Sequence, residues 1–439
     1  MQEQGGRLGD LARGILSDLR TIPVIDTHEH LPYAEDKRDR DTDVLKEYLS
    51  HYMSSDIVSA GMPPADLLTV RDHSRPLPER WRLVEPFWEA CRYTGYGRAL
   101  DAAVREIYGI DGIRGNTIDA LNAAFLDSLA PGHYKRVLKD LCGIRVSILD
   151  GFIGGSACDR SFFRRAWQPH YSVPEPRASE MILATEKEQS VTIKSISDWM
   201  EAFDRELEEM LAQGIVALKS ATAYSRSLLF RNVPFAAARA AFSESLHGWK
   251  ARGRKATDDF SLPAEAQDFM MHHILKRANE KHLVFQFHTG LQEGNGNTIA
   301  NSDPSLMSNL FLAYPEVDFD LFHISYPYQG VAATLVKNFR NVFVDMCWAH
   351  IISPAASRAA LSDFLDVLPF TKISAFGGDY MFVDGICGHL MIARENVART
   401  LAEKVSDGVF SNARAIEIGR ALFHDNPLRI FRLQKDLAP

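Results

Sequence analysis

Short β-rich apolar runs alternate with longer segments of helical period, most regularly after residue 143, and this alternation constrains the fold more than any other feature. The runs are 21–30 (TIPVIDTHEH), 143–150 (GIRVSILD), 214–220 (GIVALKS), 283–288 (LVFQFH), 317–323 (VDFDLFH), 341–346 (NVFVDM) and 372–379 (KISAFGGD). A weaker run at 55–61 (SDIVSAG) is taken as strand two, which makes eight. Between them, segment 195–214 places Trp199, Phe203, Leu207, Met210 and Leu211 on one helical face, with a serine to start it and Gly214 to stop it. Strands alternating with helices imply βαβ units and a parallel sheet. Eight of them in a chain of 439 residues predict one TIM (β/α)8 barrel spanning 1–439, with a C-terminal helical tail, rather than a doubly wound sheet.

Two stretches break the rhythm. Residues 64–140 carry Trp81, Phe87, Trp88, Tyr93, Tyr96 and Tyr108 among helical segments, and are expected to form a helical insertion after strand two. Residues 151–190 read as a long loop after strand three, on the side of a barrel where pockets form.

Composition narrows the chemistry. With 46% hydrophobic and 24% charged residues the chain is an ordinary globular one, and a net charge of −8 argues against a nucleic-acid partner. The five cysteines form no CxxC pair, no apolar leader opens the chain, and no run approaches a membrane span. A cytoplasmic protein acting on a small molecule is expected, without a membrane or nucleic-acid partner; a homo-oligomer is compatible with the sequence, which carries no interface signature.

Polar residues fall where the apolar runs end. Strand one ends in His28-Glu29-His30, strand four in Lys219, strand five in His288, strand six in His323 and strand eight in Asp379. All of these ends lie on one rim of a barrel, so residues distant in sequence converge there. His28 and His30, two apart on a strand, point to the same face and can share one ion. Imidazoles with one carboxylate suit zinc, with manganese also plausible, and leave a coordination position open for a water whose pKa falls to about 7. Taken singly, an HxH, a core histidine or a lysine at a strand end means little; four further strand ends in order make the metal site.

This pattern resembles the amidohydrolase superfamily: HxH after strand one, an optional lysine after strand four, histidines after strands five and six, aspartate after strand eight. The stretches 218–224 (LKSATAY), 287–290 (FHTG), 323–328 (HISYPY), 341–348 (NVFVDMCW) and 421–433 (ALFHDNPLRIFRL) are similar to motifs of its FluG/nodulin-type branch. The resemblance implies a divalent ion held by His28, His30, His288 and Asp379, with Asp379 and His323 as catalytic acid/base groups. It leaves Lys219 open. Carboxylated, it bridges two metals; as an ammonium, it faces a substrate carboxylate beside one metal. The neighbouring Ser220, Tyr224 and Arg226 look like an anion-binding loop and lean the reading toward one metal and a substrate-facing Lys219. Tyr224, Arg226, Glu293 and Trp348 are the other candidate substrate contacts, and Asp26 is expected to support the site rather than ligate. The implied activity is hydrolysis of an amide, lactone or ester of a small carboxylate-bearing substrate; the alternative is a metal-dependent decarboxylase or a uronate-isomerase-like enzyme on the same scaffold.

Overall fold

The computed structural model describes residues 2–151, 158–172, 178–257 and 260–437. Eight strands run in sequence order and all pair in parallel: β1 Val24–Glu29, β2 Ile144–Gly151, β3 Phe163–Trp167, β4 Ile215–Ser220, β5 Val284–Phe287, β6 Asp318–Leu321, β7 Val342–Asp345 and β8 Ile373–Ser374. Backbone bonds draw the seam together: Thr27 N–H donates to Phe376 O at 3.1 Å, Asp379 N–H to His28 O at 2.8 Å, and His30 N–H to Tyr380 O at 3.1 Å. The strands are buried almost throughout because helices cover their outer face, which is why they read as continuous apolar runs. The fold is a TIM barrel.

The order of elements differs from expectation at two strands. SDIVSAG is not strand two. It lies largely in the helix Tyr52–Ser59, whose buried Tyr52, Met53 and Ile57 fall at helical spacing, and Gly61 (φ +106°) follows the stop. The second strand is the run at 144–151, so the helical insertion follows β1, not strand two. Residues 151–190 are not one loop: they contain β3 (FRRAW) and the helix Ala178–Gln189. Two arginines hid β3, and both are spoken for. Arg164 pairs with Asp436 at 3.1 Å and Arg165 bonds Gln213 at 3.1 Å. Residues 152–157 and 173–177 of the 151–190 stretch lie outside the described residues.

The insertion is anchored to the helix Val383–Ser406 that follows β8. Asp384 in its first turn accepts from Tyr48 Oη and Tyr108 Oη, both at 2.7 Å, and meets His133 Nε2 at 2.7 Å. Where the helix Gly95–Tyr108 crosses it, a Cβ on Gly388 would stand 1.8 Å from Ala99 O, so only glycine permits the approach. The other end of the barrel is floored by the tail: Ile430, Phe431 and Leu433 pack on Ile25, Val146, Ala217, Val284 and Phe343, and Arg432 pairs with Asp318 at 2.7 Å. That apolar floor leaves the opposite rim as the open end. No helix among the described residues is long and apolar enough to cross a membrane.

Candidate metal centre

Five strand ends bring their polar side chains together on this rim. One ligand atom each of His28, His30 and Asp379 lies within 4.8 Å of the others. Asp379 Oδ1 is 3.1 Å from His30 Nε2 and 3.7 Å from His28 Nε2. Its other oxygen, Oδ2, faces His323 Nε2 at 3.8 Å. His288 is not gathered into the first group as the sequence suggested; it pairs with His323 instead, Nδ1 to Nε2 at 3.0 Å. The carboxylate of Asp379 therefore stands between two imidazole pairs. Lys219 Nζ lies 3.1 Å from His28 Nε2 and 4.3 Å from the Phe322 ring centroid.

Burial sets the charge state of these groups. It drives His28 and His288 well below the ordinary histidine range, helped in both by the positive charge of Lys219, and brings His323 down to about 4. Burial alone would raise Asp379. The hydrogen bond to His30 and the charges of His28, His30 and His323 outweigh it and hold the carboxyl well below its usual range. Imidazole nitrogens around a carboxylate are the donor set a divalent ion takes.

The hydrogen bonds go further. His288 Nε2 is 2.8 Å from Leu291 O, and His323 Nδ1 is 2.9 Å from Cys347 O. Carbonyl oxygens only accept, so each ring carries its proton on that nitrogen. The two nitrogens that face each other at 3.0 Å are then both lone pairs, an arrangement that repels unless a cation sits between them. A histidine whose outer N–H is fixed on a carbonyl while its inner lone pair faces a centre is the usual setting of a metal ligand. The residues present thus fit a cation at His28–His30–Asp379, and the His288–His323 pair faces the same carboxylate.

The remaining expected contacts divide. Tyr224 is 38% exposed, its ring centroid is 4.6 Å from that of His288, and its Oη accepts from Glu293 N–H at 2.9 Å, so Tyr224 and Glu293 stand at the mouth. Trp348 is fully packed: it stacks on Tyr52 at 4.5 Å and meets His323 edge-on at 4.9 Å, supporting the imidazole from behind. Arg226 is a correction. Its guanidinium is taken up by Asp268 at 2.6 Å, Gln267 at 2.8 Å and Leu229 O at 2.9 Å, which ties the loop after β4 to the helix Ala264–Lys281. An ion-paired group so engaged is not free to grip a substrate anion.

Sequence reasoning missed Asp150 and His51. Asp150, the last residue but one of β2, is buried and places Oδ2 3.8 Å from His28 Nε2; burial raises it, against the pull of Lys219. Its signal was in plain view, a carboxylate closing the best β run. His51 comes from the insertion, where no strand points to it. It is buried against Tyr52 (3.9 Å between centroids), lies within the field of Asp379, and is lowered to about 4 by burial. The adjacent Tyr52 donates its hydroxyl to Asp379 O at 2.5 Å.

A family model described as "Amidohydrolase" matches residues 160–433, more than half of the chain. The chain belongs to the amidohydrolase family. Among curated proteins, this amidohydrolase is similar to Protein fluG of Emericella nidulans, 26% identical over 165 residues, or 37% of this chain and 19% of that protein. It is also similar to a uronate isomerase of Corynebacterium glutamicum, 27% identical over 146 residues, or 31% of this chain and 28% of that enzyme. Both alignments thus span less than a third of the relative's own length. Among solved structures, a uronate isomerase from Thermotoga maritima superimposes with a TM-score of 0.80 at 15% identity, covering 96% of this chain and 97% of that one. A glucuronate isomerase from Caulobacter crescentus gives 0.76 at 18% identity, covering 98% and 95%. At these identities the likeness is one of fold.

Proposed function

We propose that this amidohydrolase is a hydrolase with two adjacent divalent-cation positions. His28, His30 and Asp379 would hold one, His288 and His323 the other, and Lys219, carboxylated by CO2, would join them. The observation that carries this reading is the pair of imidazole lone pairs facing each other at 3.0 Å beside Asp379. An unmodified ammonium 3.1 Å from His28 Nε2 would repel a cation there; carboxylation turns that charge negative. Zinc or manganese, when bound, supplies Lewis acidity and an acidified water.

The chain's own groups do the rest. Asp379, ionised and facing both imidazole pairs, accepts a proton from the attacking water and returns it to the leaving group. Tyr52 fixes the Asp379 backbone, and Tyr224 with Glu293 borders the entry for an amide, lactone or ester of a small carboxylate-bearing substrate. A panel of lactones and N-acyl or γ-glutamyl amides, assayed before and after chelation, tests the proposal. Turnover lost on chelation and restored by zinc or manganese supports it; turnover that survives full metal removal rejects it.

A second reading, sugar-acid isomerisation, is favoured by the sequence relatedness to uronate isomerase. Asp379 would then move a proton between neighbouring carbons. Deuterium from solvent entering a product carbon, with no bond hydrolysed, would select it.

A further inference from the structure

Asp379 sits on a backbone that the ladder does not hold. β8 ends at Ser374, five residues earlier, and Asp379 itself has φ +57°, a conformation that disfavours side chains with a Cβ. Other groups hold the segment. His350 Nε2–H donates to Ala375 O at 2.9 Å, Trp348 N–H to Gly377 O at 2.9 Å, and His389 Nδ1–H to Gly378 O at 3.1 Å. The two amides that flank Asp379 both go to carboxyls of β1. Gly378 N–H donates to Asp26 Oδ1 at 3.0 Å and Tyr380 N–H to Glu29 Oε2 at 2.9 Å. Asp26 and Glu29 are fully buried. The fit is tight: a Cβ on Gly378 would stand 1.8 Å from Glu29 Oε1.

We propose that Asp26 and Glu29 act as one positioning pair whose carboxyl oxygens grip the backbone amides of Gly378 and Tyr380, on either side of Asp379, and aim its carboxylate at the cation positions. This rests on the metal reading only for its effect on binding; the grip itself is a property of the backbone. Neither residue touches substrate or ion. The pair explains why the residue between the two histidines is a glutamate, and why a buried acid precedes them by two positions. Glu29→Gln keeps a side-chain carbonyl to accept from Tyr380 N–H, so it preserves the grip. Glu29→Leu removes it.

The test titrates metal-free protein with Co2+, reading affinity and the visible absorption band, and follows hydrogen exchange of the Gly378 and Tyr380 amides. Folding is checked by circular dichroism. The pair predicts that Glu29→Leu binds Co2+ at least about tenfold more weakly, with a changed band and faster amide exchange, while Glu29→Gln stays within about threefold of the parent. Glu29→Leu equal to the parent in affinity, band and exchange overturns the proposal, and so does Glu29→Gln as impaired as Glu29→Leu. If Glu29→Leu does not fold, Asp26→Ser, which abandons Gly378 N–H, carries the same comparison. A parent protein that takes up no Co2+ would sink the metal reading alone; amide exchange unchanged in the variant would still overturn the pair, and faster exchange would support it.

Discussion

Lys219→Met separates the two states of this lysine by the sign of its effect. Nζ is 3.1 Å from His28 Nε2. With a metal–nitrogen bond of about 2.1 Å, it stands within about 5 Å of an ion on His28. At an effective dielectric of about 20, a unit charge and a divalent ion at that separation interact by about 6 kcal/mol. Allowing for solvent and rearrangement, about a third of this survives, or roughly 30-fold in affinity. For a carbamate the term is attractive and a ligand is lost with it, so Lys219→Met should hold fewer ions and hold them at least about 30-fold more weakly. For an ammonium the term is repulsive, and the variant should bind more tightly. Competition against a chromophoric chelator reads the affinity, elemental analysis the stoichiometry. Intact mass of the parent should exceed the sequence mass by about 44 Da if the adduct survives ionisation. A Met variant that binds as many ions more tightly, from a parent of unmodified mass, would refute the bridging reading.

Three further outcomes follow from the geometry. Glu47 is raised to about 7 by burial, against Arg38 and with the help of Asp384 and Asp39. The folded state therefore keeps a proton that the unfolded chain releases near 4.5, and stability is lost as pH rises from 4.5 to 7; Glu47→Gln should gain on the parent by up to about 3 kcal/mol between pH 4.5 and 8 in paired melting curves, and a pH-independent difference would contradict this. Arg226→Ala leaves buried Asp268 unpaired and should cost about 3 kcal/mol in denaturant unfolding while the metal content stays the same; unchanged stability with loss of turnover would return Arg226 to the substrate site. Gly378→Ala forces a Cβ into the Glu29 carboxyl and should cost about 3 kcal/mol in melting experiments, with weaker metal binding, whereas a neutral result would mean that the segment yields freely.

The barrel was legible where the physics is local. β1 and β4 to β8 are apolar because both faces are covered, and at or beyond the ends of five of them, β7 excepted, stands a histidine, lysine or aspartate, so the runs and the candidate ligands could be read together. What failed depended on partners far along the chain. β3 carries Arg164 and Arg165, which are tolerable in a strand only because the tail's Asp436 and Gln213, just before β4, receive them. SDIVSAG has two β-branched residues in a row, but its buried positions follow a helix. Arg226 looked like an anion grip because its neighbours are polar; its partner Asp268 lies 42 residues away on a helix. The pairing of His288 with His323 could not be read at all, since it depends on which backbone carbonyl each outer nitrogen meets. The glutamate between the two histidines gave no sign of its grip on the opposite strand end.

The direct test of the cation centre is anomalous scattering from crystals grown with zinc or manganese, recorded at that metal's absorption edge. The account predicts a peak within about 2.0–2.2 Å of a nitrogen of His28, a nitrogen of His30 and an oxygen of Asp379, and a second between His288 Nδ1 and His323 Nε2. A map with no peak at this rim, or with its ion bound elsewhere, would contradict it.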